Sequence, residues 1–264
     1  MMIDQDVVYA SPATVYRVLK TAGAMRKWNN TPTKKGTGFN QPLEPHQHWH
    51  MDIAYVRISG IYYYLISILD GFSRSIVHWD LREKMTDQDV GLVQQVAIEK
   101  YPKAKPRFIT DNGKQFVGRE FKLFISENGL SHVRTSPYYP QSNGKLERFH
   151  KTIKSECIRK LVPHSLNDAK RIIKNYVEYY NGERLHSAIS YVTPKTMLEG
   201  QQKEHLRQRD HKLELRREQR KNINKNQSID WTKKEKRNEF NGSQGYTRIS
   251  AKGRSAAELC RMQT

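Results

Sequence analysis

Residues 61–69 read IYYYLISIL, and apolar or aromatic side chains occupy every position of this run except Ser67. A strand that is apolar on both faces is typical of the middle of a sheet that is covered on both sides. Similar strand-like runs flank it at residues 49–57 and 76–81, and short turns separate the three. The sequence therefore predicts three consecutive strands at the start of one sheet.

Helices and short strands alternate after the third strand. The expected elements, in order, are a helix from Thr86 to about Lys100, a buried strand at 107–110, a helix around Phe121, Phe124 and Ile125, a strand centred on Val133, a helix that begins near Asn143, and an amphipathic helix from Ser165 to about Tyr180. Strands that come first and then alternate with helices predict an α/β fold, in which helices cover one mixed sheet.

Three carboxylates stand in the predicted elements where a metal site would need them. Asp52 lies within the first strand, Asp111 ends the short buried strand, and Glu147 follows it in a helix after a gap of 35 residues, 112 to 146. Mg²⁺ takes one or two carboxylates, substrate phosphates and several waters. A pair of such ions about 3.5–4 Å apart can activate an attacking oxygen and stabilise a leaving oxygen at phosphorus.

Each carboxylate also has an ordinary structural explanation. Asp111 opens the turn Asp-Asn-Gly, in which an aspartate often binds its own backbone. Glu147 and Lys151 have the spacing of a helical surface ion pair, worth a few tenths of a kcal/mol. Asp52 lies between Met51 and Ile53, where an unpaired buried charge costs several kcal/mol, so this carboxylate needs a partner such as a metal ion.

Six motifs in a fixed order identify a family resemblance. They are WHMD at 49–52, LDGFSR at 69–74, TDNGKQF at 110–116, SNGKLERF at 142–149, KSE at 154–156, and YN at 180–181 followed by Arg184, His186, Thr193 and Pro194. From about His46 to Gly200 the chain resembles the integrase-like catalytic core of bacterial insertion-sequence transposases, the D,D-35-E recombinases. It is similar in particular to the reading-frame-B transposase of the IS-three family.

The resemblance implies a fold, a chemistry and a set of partners. It implies the ribonuclease-H-like fold, a mixed five-stranded sheet flanked by helices, with Asp52, Asp111 and Glu147 as catalytic residues and ligands of two Mg²⁺ ions that Mn²⁺ can replace. The implied reaction nicks DNA at the ends of an element and transfers the 3′-OH to target DNA. The implied assembly is a homo-oligomer on double-stranded DNA, joined by an upstream helix-turn-helix protein or fused to it.

Five residues around Glu147 are expected to contact DNA. They are Asn143, Lys145, Arg148, Lys151 and Lys154. Asn143 either caps the helix or helps its exposed amides to meet a phosphate, and the lysines and arginine suit backbone contacts that do not read sequence. In the family, the basic residue seven positions after the catalytic glutamate touches the DNA end, and Lys154 fills that position. Tyr138 and Tyr139 either stack on an unpaired base or pack down on the protein.

Other polar residues invite weaker interpretations. His46, His48 and His50 alternate along one face, but the set lies before the strand, lacks a cysteine and matches no family metal ligand, so a zinc site is disfavoured. Asp70 is a fourth candidate acid, although Asp-Gly-Phe-Ser is first a turn. For Arg184 and His186, packing against the helix of Glu147 is the expected role.

Composition indicates a polyanionic partner. The formal net charge of the 264 residues is +19, and residues 201–264 carry 17 Lys and Arg against 8 Asp and Glu. Two cysteines far apart, Cys157 and Cys260, give no disulfide framework, and neither a secretory signal nor a membrane span is expected. A cytoplasmic protein that joins the nucleoid when bound to DNA fits this pattern.

Four segments are expected along the chain. Residues 1–25 resemble the remnant of a helix-turn-helix region, with Ser11 and Pro12 starting a helix that could equally be a short cap without a DNA role. Residues 26–45 form a basic linker, residues 46–200 the catalytic core, and residues 201–264 a basic tail. In the tail, a charged helix is expected as far as Lys221, followed by mostly disordered residues 222–264.

Two rival functions stay open at this point. An N-terminally short chain with a basic core fits a catalytically idle DNA-binding remnant, whose binding would persist in chelator and fall steeply with salt. A stand-alone nuclease on the same fold would hydrolyse DNA without joining strands. The motifs after Asn143 favour the transposase over the nuclease.

Overall fold

The computed structural model describes residues 3–25, 41–135 and 143–242, with side chains as far as residue 225. The chain divides into two compact units, Met1–Arg209 and Asp210–Thr264. The fold and the candidate site lie in the first unit.

One mixed sheet forms the centre of the first unit. Its strands are β1 (His48–Ile58), β2 (Ile61–Asp70), β3 (Ile76–Arg82), β4 (Arg107–Thr110) and β5 (Ser131–Arg134). The strands lie in the order β3-β2-β1-β4-β5; β1 pairs antiparallel with β2, and β2 antiparallel with β3, whereas β1 with β4 and β4 with β5 are parallel. The predicted five-stranded mixed sheet is confirmed.

Four helices, α2, α3, α4 and α6, cover the two faces of this sheet. The helices of the chain are α1 (Pro12–Thr21), α2 (Asp87–Lys100), α3 (Arg119–Glu127), α4 (Gly144–Ile153), α5 (Arg159–Leu161), α6 (Leu166–Gly182), α7 (Pro194–Leu198) and α8 (Gln202–Gly242). The helices α2 and α3 share one hydrophobic core with the sheet, and α4 and α6 share the other. A π-helical turn, Lys154–Ile158, connects α4 directly to α5.

The two cores follow from the alternation of side chains along each strand. In β2, Leu65 and Leu69 belong to the core beneath α4 and α6, whereas Ile66 and Ile68 belong to the core beneath α2 and α3. Each is almost completely buried, which stabilises the fold by roughly 1.5–3 kcal/mol per side chain. The run 61–69 therefore forms the doubly covered strand that its composition predicts.

Local caps set the helix starts that the sequence predicts. The Thr86 hydroxyl accepts from the Asp89 amide at 3.3 Å, and the Asp89 carboxylate accepts from the Thr86 amide at 2.8 Å, which forms a capping box. Ser165 caps α6 by accepting from the Asp168 amide at 3.2 Å. Ser11 caps α1 in the same way. The predicted starts of α1, α2 and α6 are confirmed.

Asp52 lies within β1, as expected, and β1 is the central strand of the sheet. One expectation about extent was wrong. Residues 222–242 were expected to be disordered, yet α8 continues to Gly242. No proline or glycine interrupts residues 202–241, and their many Arg, Lys, Glu and Gln residues are good helix formers.

Some sequence expectations concern residues that the structure does not describe. The expected loop 136–143, with Tyr138 and Tyr139, lies outside the described residues except for Asn143, and so does Cys260. Cys157 is a buried free thiol. Within the described ranges, no helix combines the length and the apolar character needed to cross a membrane.

Candidate active site

The register of the parallel strands brings Asp52 and Asp111 to the same place in the sheet. The pairs along β1 and β4 are His48 with Arg107, Trp49 with Phe108, and His50 with Ile109. Two positions further along the chain lie Asp52, within β1, and Asp111, directly after β4. Because side chains alternate between faces, both carboxylates lie on the face that carries His50. Asp111 directly follows the carboxyl end of β4, and such strand ends are where ligand sites of α/β sheets gather.

The charge of the Asp52 carboxylate acts on the Asp111 carboxyl. Partial removal from water raises the pKa of the Asp111 carboxyl, and repulsion by the Asp52 carboxylate raises this pKa further. The Gly113 amide, which donates to Asp111 Oδ1 at 2.9 Å, acts in the opposite direction. Two acids that repel each other in a partly shielded place are the arrangement that a divalent cation relieves.

The turn after β4 holds Asp111 in position. Beside the Gly113 contact, Asn112 Nδ2 donates to the Thr135 carbonyl at 3.0 Å, and Thr110 Oγ1 lies 2.8 Å from His132 Nε2 on β5. A Cβ added to Gly113 would lie 3.0 Å from Asp111 Oδ1, so a side chain there would crowd the carboxylate. The turn interpretation of Asp111 is confirmed, and it leaves the site interpretation open because only Oδ1 is used.

His150 on α4 lies beside the Asp52 carboxylate. His150 Nδ1 lies 3.4 Å from Asp52 Oδ2, and His150 Nε2 lies 3.3 Å from Ser67 Oγ. Asp52 and Ser67 face each other directly across β1 and β2. The side chains of Asp52 and His150 are 18% and 6% exposed, so this bridge between α4 and two strands is largely shielded from water.

Sequence reasoning missed His150, although a signal for it exists. It occupies the buried face of α4 together with Leu146, Phe149 and Ile153. A single polar side chain on an otherwise apolar helix face requires a buried partner. The strand carboxylate below α4 is that partner.

Glu147 lies on α4 one turn before His150, but it does not complete a metal cluster. Its side chain is exposed in the first turn of α4. Among the described residues, no three His, Cys, Asp or Glu side chains are grouped closely enough to hold a metal ion. The surface pair with Lys151 is also not formed there. The structure therefore brings Asp52 and Asp111 together and places Glu147 on the helix packed against them.

The predicted DNA contacts divide by exposure. Arg148 and Lys151 are exposed on α4, and Lys154 is half-buried where α4 passes into the π-helical turn. Lys145 is half-buried, and its ammonium group donates to the Gly71 carbonyl at 2.8 Å. Burial, with the nearby Arg74 charge, lowers the pKa of Lys145 to about 8, against the opposing effect of Asp70.

Asn143 occupies the N-cap position of α4 without acting as a side-chain cap. Its side chain makes no capping hydrogen bond, and the residue is only 4% exposed. Its Oδ1 atom is buried and has no hydrogen-bond partner in the described structure. A direct contact between this side chain and DNA would require it to turn outward.

The remaining candidates have structural partners. Asp70 is buried and accepts from the His46 amide at 2.8 Å and from the Ser73 amide and hydroxyl, each at 2.7 Å, as a turn residue does. His46 has a φ of 62° outside β1 and accepts from Trp49 Nε1 at 3.2 Å. Burial lowers the pKa of His50 to about 3.

Arg184 and His186 lie next to α4, as the packing interpretation predicts. Arg184 forms a two-point ion pair with Glu156, at 3.0 and 2.9 Å, and its guanidinium lies over the Tyr180 ring. His186 pairs with Val192 through an isolated bridge. Both residues line a cavity together with Phe149 of α4.

Comparison with known proteins agrees with this architecture. Two family models, each described as an integrase core domain, match residues 42–140 and 128–194. The transposase of insertion sequence element IS904 from Lactococcus lactis subsp. lactis strain IL1403 is 30% identical over 176 residues, 61% of this chain and 68% of that protein. The InsD transposase of insertion element IS2E from Escherichia coli K12 is 30% identical over 195 residues, 70% of this chain and 89% of that protein.

The fold also has a solved counterpart. A chain of the simian T-cell lymphotropic virus intasome, solved in complex with PP2A regulatory subunit B56 gamma, superposes with a TM-score of 0.55 at 20% identity. The match covers 72% of this chain and 67% of that chain. The predicted integrase-like, ribonuclease-H-like arrangement is confirmed.

The fold and the two family-model matches define an integrase core domain. The chain belongs to the family of insertion-sequence transposases that carry this integrase core domain.

Proposed function

We propose that this protein cleaves DNA at the ends of an insertion sequence and joins the freed strand to a second site. Water attacks a phosphodiester, and the bond to the 3′ oxygen breaks to leave a 3′-OH. This hydroxyl then attacks a phosphorus of the target DNA, and the bond from that phosphorus to the target strand's 3′ oxygen breaks, so that a 3′-OH of the target leaves. The supporting observation is the placement of Asp52 and Asp111 side by side beneath α4, which carries Glu147.

The two strand acids suit a divalent metal. Asp52 and Asp111 supply oxygen ligands whose mutual repulsion a cation would remove, and Glu147 on α4 is the third proposed ligand. When bound, two Mg²⁺ ions, or Mn²⁺ in their place, supply the positive charge that activates the attacking oxygen and stabilises the leaving one. His150 orients Asp52, and the buried β1 and β4 ladder fixes the separation of the two strand acids.

The proposed partners follow from the same chemistry. The substrate is double-stranded DNA, both at the element ends and at the target, and the basic chain favours its approach. Two element ends must be held together for joining, so we propose a homo-oligomer on DNA. An upstream helix-turn-helix protein or fusion partner, which would read the end sequence, and a cytoplasmic site of action stay predictions.

The test is an assay of the purified chain with labelled duplex ends taken from the DNA that flanks its gene. Nicked and joined products that need Mg²⁺ or Mn²⁺ would support the proposal. Cleavage without joining would indicate a nuclease instead. Binding without products, even when the upstream frame is added in trans, would indicate an idle DNA-binding remnant.

Metal binding itself is expected to change stability, and Asp111→Asn tests it without an activity readout. In chelator, the raised pKa of Asp111 means that its charged form opposes folding. Stability should therefore fall as pH rises from the ordinary value of 3.8 through the higher folded pKa. Asp111→Asn removes this pH dependence and should be more stable than the wild type in chelator at pH 7.

Mg²⁺ should reverse that order. At ten times its Kd it stabilises the wild type by about 1.4 kcal/mol, and Asp111→Asn should gain clearly less. Thermal unfolding with and without Mg²⁺ measures both effects, and Glu120→Gln on α3 is the matched carboxylate-to-amide control. An equal gain in Asp111→Asn and the wild type would place the metal elsewhere.

A further inference from the structure

A basic cavity lies against α4 and is separate from the three acids. Its volume is about 650 Å³, and α4, the turn after β2 and residues 184–191 enclose it. Its charged or titratable lining residues are Arg74, Lys145, Arg148, Tyr180, Arg184, His186 and Tyr191. In the part of the chain that the structure describes, no acidic residue lines this cavity. A cavity that gathers cations in this way favours an anionic ligand.

Arg74 gives the strongest evidence for an anionic ligand, because the backbone of its turn holds it at the cavity. Its φ is 67°, a left-handed conformation that is unfavourable for an arginine. The turn that imposes it is fixed by Asp70, whose carbonyl accepts from the Arg74 amide at 2.9 Å and whose carboxylate holds Ser73. Arg74 Nε is nevertheless buried without a hydrogen-bond partner among the described residues. A buried donor without a partner points to an acceptor that a ligand supplies.

Two other cations are held in place beforehand. Both carboxylate oxygens of Glu156 accept hydrogen bonds from the Arg184 guanidinium, and the carboxylate also accepts from the Tyr176 hydroxyl at 2.8 Å. Lys145 is tied to the Gly71 carbonyl. Side chains that are already ordered lose little conformational entropy when a ligand binds. The cavity is therefore prepared to receive an anion.

The charges of the cavity act on each other. Burial, together with the positive charges of Arg74, Arg184 and Arg148, lowers the pKa of His186 to about 4, so His186 is neutral at pH 7. Arg148 has no ion-pair partner within the described ranges, and its guanidinium is exposed at the edge of the cavity. An arginine at this place can form two-point hydrogen bonds with a phosphate.

The position of the cavity on α4 separates it from the acids. Lys145, Arg148 and Thr152 recur at the helical spacing of one stripe of α4, whereas Glu147, Lys151 and Lys154 form a neighbouring stripe. None of the three proposed catalytic acids lines the cavity. A ligand there would lie beside the reaction and not within it.

We propose that this cavity binds a phosphate of the DNA backbone, so that α4 holds DNA along two stripes at once. This inference rests on the proposed function for its choice of DNA over a free anion. The exposed ring of Tyr191 at the cavity offers a surface for the adjoining sugar or base. The predicted DNA contacts then divide, with Lys145 and Arg148 in the cavity stripe and Lys151 and Lys154 in the stripe of Glu147.

Arg148→Gln tests the inference through DNA binding in chelator, where no reaction occurs. The Kd of the full-length chain for a duplex oligonucleotide should rise roughly threefold to tenfold. The slope of log K against log salt should shrink by about 0.9, the contribution of one phosphate contact. Arg119→Gln, on α3 across the sheet, removes the same charge elsewhere and should change both quantities much less.

Arg74→Lys provides the second arm. It keeps the charge but removes the buried Nε donor, so affinity should fall while the salt slope changes little. Urea unfolding of this variant checks that the fold persists. An unchanged Kd and slope in Arg148→Gln would overturn the inference. So would stabilisation of the wild type by inorganic phosphate that Arg148→Gln abolishes without any loss of DNA affinity, because the cavity would then take a free anion.

The two proposals fail in different ways. Weakened DNA binding in both arginine variants, together with a wild type that yields no nicked product with metal, would support the cavity and overturn the proposed reaction. If the wild type gives metal-dependent products and neither arginine substitution changes DNA affinity, the proposed reaction would be supported and the cavity proposal overturned.

Discussion

Replacing Asp52 with asparagine is expected to abolish metal-dependent nicking and joining while DNA binding in chelator stays intact. Asp52 and Asp111 are neighbours across β1 and β4. The substitution removes the negative charge with which Asp52 would help to hold a cation between them. Charge stabilisation by such ions is worth several kcal/mol, so the rate should fall by about a thousandfold. Product formation from labelled element ends, measured against DNA affinity, separates the two effects.

Glu147→Gln should give a loss of similar size. Because the acids would act as one unit, a variant that combines Asp52→Asn and Glu147→Gln should be hardly less active than either single variant. Glu120→Gln on α3 is the neutral control. Joining that survives in Glu147→Gln at the wild-type rate would remove Glu147 from the site and contradict the proposed metal ligands.

His150→Ala should affect both stability and activity. The substitution leaves Asp52 Oδ2 and Ser67 Oγ without their shared partner, and burying unsatisfied polar groups costs roughly 1–3 kcal/mol. Urea unfolding measures this loss. Activity should fall less than in Asp52→Asn, since the carboxylate itself remains.

A positioning role for His150 can be told from a purely structural one. His150→Asn keeps a donor near Asp52, and Ser67→Ala removes only the distant support. If His150 orients Asp52, the asparagine variant should recover part of the activity at a given stability, and Ser67→Ala should retain most of it. Activity that simply follows the unfolding free energy across the three variants would show that His150 only packs.

The sequence predicts most elements of this fold because their signals are local. The bounds of β4, Arg107–Thr110, follow from a short apolar run between Pro106 and the Asp-Asn-Gly turn. The starts of α2 and α6 follow from Thr86 and Ser165, whose hydroxyls accept from amides three residues later. Such contacts need no knowledge of the rest of the chain.

The candidate site depends on pairings that local patterns do not contain. The meeting of Asp52 with Asp111 follows from the parallel register of β1 and β4, which are separated by two strands and a helix in the sequence. The family resemblance named both acids, but the register explains why they meet. The role of His150 depends on which strand residue lies beneath α4, and the cavity joins three distant segments.

The π-helical turn at Lys154–Ile158 changes the direction in which side chains point along one continuous helix. A π turn holds one more residue than an α turn, so side chains after it are rotated relative to those before it. Before the shift, α4 presents Glu147 and Arg148 outward; after it, Glu156 faces Tyr176 and Arg184. Deleting one residue from this turn would restore an even helical pitch and turn Glu156 away from Arg184. The cavity would then lose the ion pair that orders Arg184, while the three proposed catalytic acids would keep their positions.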